Sequence, residues 1–143
     1  MINILLIPEV IMSVGIMIVI VADLFLQNYK KISYFLIQFI LIVSAYQTMN
    51  IKYLPEYEAY ELSIFSNYIK LILIIGSLII FHYTYKHLSH IKKLKIEYFT
   101  ISLLGLVGSM VMISANSLLM LYLGIELLSL SLYALIGFNK DSS

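Results

Sequence analysis

Apolar residues run along this chain in five long blocks, broken only by short polar stretches. The blocks cover residues 7–27, 32–49, 63–85, 98–114 and 116–138. A bilayer's hydrocarbon core is about 30 Å thick and takes roughly 20 residues of α-helix to cross. Each block comes close to that length or exceeds it, so the pattern predicts five membrane-spanning helices. No soluble domain, low-complexity run or short repeat separates them, and residues 1–143 read as a single transmembrane domain. Pro8 suits the first turn of helix one, where its missing N–H costs nothing. Glu9 beside it complements the positive end of the helix dipole. Between the last two blocks stands Ser114-Ala115-Asn116-Ser117, a tight hairpin whose Ser and Asn residues are suited to capping both helices.

Composition strengthens this reading. The 143 residues are 62 % hydrophobic, with a mean hydropathy of +0.97, against about 45–50 % apolar residues in soluble domains. So short a chain cannot bury that surplus in a core; it must face lipid. Net charge is +1, which gives no footprint for a nucleic-acid partner. The absence of Cys removes disulfides, thiolate metal sites, iron–sulfur ligation and cysteine nucleophiles together. Every basic residue is Lys, and Ile, Tyr, Lys and Asn are abundant. Those residues have AT-rich codons and point to an AT-rich genome, an organellar one being one such source. Neither a basic leader nor a small-residue cleavage site accompanies the first block, so that block is expected to stay in the mature protein.

Charges between the blocks orient the helices. Lys30 and Lys31 follow block one; Glu56, Glu58 and Glu61 precede block three; Lys86, Lys92, Lys93 and Lys95 follow it; Lys140 follows block five. The positive-inside rule puts the Lys-bearing ends inside and the N-terminus outside. Only Lys52 and Lys70 fall off the inner side in that topology.

Few residues in the blocks can carry chemistry. Glu126 stands near the middle of helix five, where a charged carboxylate costs several kcal/mol. It must pair, reach water or take up a proton. Tyr122, Ser129, Leu130 and Tyr133 share its face, which offers hydroxyls and no cation. Desolvation raises the pKa of such an acid and a nearby Lys lowers it; a group held between those effects is suited to relaying protons. A structural contact between helices is the bland alternative. Lys70, about two turns into helix three, is a second candidate relay, with snorkelling to the outer interface as the alternative. Asp23 lies about one turn from the inner end of helix one, where Lys30 or Lys31 can meet it. Glu9 reads as a helix-start residue. His82, His87 and His90 cluster at the inner end of helix three, but no carboxylate accompanies them and they read as solvated, so no metal site is expected. No phosphate-binding loop, nucleophile elbow or HExxH motif is present. Gly105, Gly108, Ser109 and Gly124 read as small residues that let helices four and five approach closely.

The stretch from Glu97-Tyr98-Phe99 to Phe138 resembles the antiporter-like subunit 2, or N subunit, of respiratory complex I, NADH:ubiquinone oxidoreductase. The resemblance is carried by Leu119, Leu121, Tyr122, Leu123, Gly124, Glu126, Leu127, Ser129, Leu130, Leu132 and Tyr133. Glu126-Leu127-Leu128-Ser129-Leu130 departs from the sister antiporter-like subunits, which continue differently after their glutamate. Pro8-Glu9 with Asp23-Leu24-Phe25-Leu26 is similar to the family's opening, and Phe65-Ser66-Asn67-Tyr68-Ile69-Lys70 to its third helix. The acid the family often carries at the start of that helix is not evident here.

The resemblance implies an all-α membrane protein, the front part of an antiporter-like bundle, acting as a proton-translocating piece of the complex. Glu126 would be its relay acid. No cofactor is implied for this chain; flavin, iron–sulfur clusters and quinone belong to other subunits. Family members have eleven to fourteen helices, and their helix-five glutamate pairs with a lysine on a later, broken helix. The chain is therefore expected to be one piece of a split subunit, whose second chain supplies the remaining helices and that lysine, with a truncated subunit as the alternative. Other membrane-arm subunits and membrane lipids complete the partners, and the mitochondrial inner membrane is the expected location, with a bacterial or other organellar energy-transducing membrane as alternative. Other readings are a subunit of a chloroplast-type dehydrogenase or cation/proton antiporter, or a structural membrane-arm piece with no proton path of its own.

Overall fold

The computed structural model describes residues 7–51, 60–91 and 95–140. They form five α-helices: α1 Pro8–Phe25, α2 Lys30–Asn50, α3 Ile64–His90, α4 Ile96–Ser114 and α5 Leu118–Lys140. All five are long and apolar enough to cross a membrane, so the chain is an all-α membrane bundle. Glu56, Glu58, Lys92 and Lys93, which helped orient the chain, and the exception Lys52 lie outside the described residues.

Local chemistry explains where the helices begin. Pro8 occupies the first position of α1, with Glu9 in its first turn. Ser63 and Ser66 form a reciprocal capping box on α3, each hydroxyl accepting the other's backbone N–H at 3.1 Å. Ser117 Oγ accepts from Met120 N–H at 3.2 Å at the head of α5. The third helix runs five residues past the end of its apolar block. Neither Gly nor Pro follows Tyr85 to stop it, and His87 and His90 in the last turn suit the negative end of its dipole. At 27 residues, it is about 40 Å long at 1.5 Å per residue and outreaches the hydrocarbon core.

Helix α4 is the hub. It packs on α1, α2, α3 and α5, and α2 packs on α1 and α3. Met12, Ile16 and Val19 of α1, Ile37 and Leu41 of α2, and Phe99, Leu103 and Met110 of α4 fill the centre, at helical spacing along each face. Toward the other end Tyr34 stacks on Tyr85 at 3.8 Å between centroids and meets Phe99 edge-on at 5.9 Å, joining α2, α3 and α4. Helices α1 and α3 are not packed backbone to backbone; they face each other across the middle of this group.

Helix α5 packs on α4 alone among the described helices. The seam is a glycine contact. A Cβ on Gly108 would lie 2.8 Å from the Leu128 backbone N, and one on Gly124 3.0 Å from the Gly108 carbonyl oxygen. Only glycine at both places lets the two backbones come this close. Before α3, Tyr60 forms an antiparallel bridge with Ala115, and Glu61 N–H donates to the Ser114 carbonyl at 2.8 Å. That bridge ties the approach to α3 onto the α4–α5 turn.

Candidate functional site

Two polar features stand out in this apolar bundle, on different sides of α4. The first follows from the glycine seam. Gly124 is buried against α4, and Glu126 lies two residues further on, about 200° around the helix at 100° per residue. Glu126 therefore points away from α4 and is exposed. Tyr122, Leu130 and Tyr133 share that outer face, exposed at 58 %, 61 % and 69 %. Glu126 is the ninth residue of α5, roughly 12 Å along it. The described helices thus present a carboxylate at membrane depth on a wide apolar face that none of them covers.

The second feature lies between α1 and α3. Lys70 is fully buried, and Glu9 is only 5 % exposed. Lys70 Nζ forms an ion pair with Glu9 Oε1 and donates to Tyr60 Oη at 3.3 Å. The ammonium also stands 5.2 Å from the centre of the Tyr60 ring, within cation–π range. Burial pushes the Tyr60 phenol far above its ordinary range, the Glu9 charge pushes it further, and the Ser114 hydroxyl pulls weakly the other way. Tyr60 therefore stays a neutral hydroxyl.

This geometry corrects the snorkelling alternative for Lys70. Its side chain turns into the bundle, not out to the interface, because a buried carboxylate on another helix stabilises its charge. It also extends the reading of Glu9, which sits in the first turn of α1 and is at the same time the partner of Lys70. The carboxylate beside Lys70 is supplied by helix one. Sequence reasoning had one usable clue. Alternating helices place the starts of helices one and three at the same membrane face, with an acid near one and a base near the other. It gave no way to see that the two helices face each other across the bundle.

The remaining candidates make local contacts or lie exposed. Asp23 accepts from Ser33 Oγ at 3.1 Å, between the end of α1 and the start of α2. Tyr34 Oη lies 3.2 Å from His82 Nδ1 and accepts from Gln38 Nε2 at 2.8 Å. His87 and His90 are exposed in the last turn of α3. No group of three or more metal-ligating side chains occurs among the described residues.

No family model matches the chain. It is 35 % identical over 139 residues to the NADH-quinone oxidoreductase subunit N of Ruthia magnifica subsp. Calyptogena magnifica, covering 94 % of this chain and 29 % of that protein. Against the subunit N of Thioalkalivibrio sulfidiphilus it is 38 % identical over 131 residues, 87 % of this chain and 27 % of the relative. A 78-residue match to the Thiobacillus denitrificans subunit N reaches 45 % identity. The chain spans under a third of the length of these relatives. Over nearly all of its own length, this chain is a homologue of the proteins named NADH-quinone oxidoreductase subunit N.

Proposed function

We propose that this chain is a proton-translocating piece of the membrane arm of an NADH–quinone oxidoreductase, with Glu126 as its relay acid. One observation carries the reading: the glycine seam turns Glu126 onto an uncovered face of α5, at a depth where a lone carboxylate is costly. An acid placed so needs a cation or a proton from whatever covers that face. The fraction of its relatives that the chain spans supports further polypeptide as the cover, bearing a lysine on a broken apolar helix. In this reading the complex couples NADH oxidation and quinone reduction to proton movement, and this chain handles protons only. Flavin, iron–sulfur and quinone chemistry stays in other subunits.

The assembly can be tested directly. A photo-crosslinking residue at Leu130, on the face of Glu126, is expected to capture an apolar helix of subunit N type in the purified complex. Capture of lipid alone would remove the proposed cover. Orientation is a separate test. Lys-rich ends inside and the N-terminus outside predict that a cysteine at Lys92 labels only from the inner side; labelling from the outer side reverses the topology. The membrane is an energy-transducing one. The wealth of residues with AT-rich codons favours the mitochondrial inner membrane, and the bacterial sources of the relatives favour a bacterial membrane; cell fractionation separates the two.

A further inference from the structure

We propose that Glu9 and Lys70, joined by Tyr60, form a second proton-holding site, on the far side of α4 from Glu126. It rests on the proton-translocation reading and adds a location to it. The pair is the one ion pair seen among the described residues with both members buried. It spans two helices that do not pack on each other directly. A clamp needs no charge at such a place. Replacing a buried ion pair by well-packed apolar side chains is often neutral or stabilising, and ionisable groups kept inside membrane segments mark proton and ion paths by default.

The chemistry available is a transfer within the pair. One N–H bond of the Lys70 ammonium breaks and one O–H bond forms on Glu9, giving a neutral amine and a neutral acid. No electrons are lost or gained, and the net charge stays zero. Removing both charges also removes the cost of holding them away from water. The free amine is then ready for a proton from outside. Tyr60 supplies the route. It is half-buried, its hydroxyl is in hydrogen-bond contact with Lys70 Nζ, and its chain neighbour Glu61 is exposed. Because the phenol stays neutral, it passes protons only in concert, its O–H breaking toward Lys70 as a hydronium ion gives one proton to its oxygen and leaves water. The product is neutral Glu9 beside Lys70 ammonium, and the reverse sequence releases the proton.

Helix α1 contributes Glu9, α3 contributes Lys70, and the segment before α3 contributes Tyr60 and Glu61. Helix α4 contributes the Ser114 hydroxyl, beside Tyr60. In its half near this site, α2 has Tyr46, which is 66 % exposed, besides the hydroxyls of Ser44 and Thr48, which bond to their own helix backbone. Among the described helices, α5 packs on α4 alone.

The test uses the assembled complex in vesicles. The double substitution Glu9→Gln and Lys70→Gln keeps the shape and hydrogen bonding of the pair and removes titration. Pumping is expected to fall several-fold at unchanged assembly, with a changed pH profile. Full pumping with the wild-type profile would overturn the proposal. Where the double variant does not assemble, pH-difference infrared spectra of the full chain in bilayers, in a Glu126→Gln background, decide the matter. A protonated carboxyl band that vanishes on Glu9→Gln and forms more slowly in Tyr60→Phe is expected. A spectrum with no such band between mildly acid and alkaline buffers shows a sealed, non-exchanging pair and sinks the idea. Full pumping by Glu126→Gln alone would instead reject the role given to Glu126, while the Glu9 band stands on its own.

Discussion

Glu126→Gln is expected to assemble normally and to lose most of its proton pumping, because a relay needs a group that both accepts and releases a proton. The amide has nearly the shape of the acid and costs less in lipid than a charge, so α5 still inserts. The α4–α5 seam is untouched, since Gly108 and Gly124 face the other way from Glu126. No redox site is expected in this chain, so the NADH-binding and electron-transfer sites stay assembled; electron flow slows only as far as it is coupled to pumping. Glu126→Asp is the sharper control. It keeps the acid and withdraws it by one methylene, and partial pumping is the expected result. Pumping by vesicles, normalised to assembled complex, is the measurement. If Glu126 only bridges helices, the Gln variant pumps fully and shows at most a small loss of stability.

A second large effect is expected from breaking the Glu9–Lys70 pair on one side. Glu9→Leu leaves Lys70 fully buried without its carboxylate. Removing one member of a buried pair costs about 3–5 kcal/mol, because the other charge is stranded. The chain should therefore unfold at lower denaturant or temperature, or fail to accumulate in the membrane. Glu9→Leu combined with Lys70→Met replaces both charges with apolar side chains of similar size and should recover most of that loss. Thermal denaturation of the complex in detergent, read for the single and double variants, checks the sign and the rescue. A double variant as unstable as the single one would show that the stranded charge is not the cause. Restored stability and restored pumping are separate readouts. A structural pair recovers both in the Leu/Met double variant, and a proton-holding pair recovers stability alone.

Much of this protein is legible without coordinates, and the reason is the solvent. In lipid a chain must satisfy its backbone hydrogen bonds internally, so apolar block length nearly dictates helix number, and five blocks became five helices. Glu126 was visible for the same reason, since a carboxylate inside such a block has no cheap explanation. The glycines that bring α4 and α5 together were visible as small residues in facing blocks, and their contact explains why Glu126 faces outward. Tertiary structure alone decided which helices oppose one another. Helical spacing places residues on a face, but the neighbour of that face depends on how the whole bundle closes. Lys70 therefore read equally well as a snorkelling cation or a proton relay, and Glu9 as a helix-start residue. Only the closed bundle, with α1 and α3 opposed between α2 and α4, set that acid and base together and laid Tyr60 over them through its bridge to Ala115.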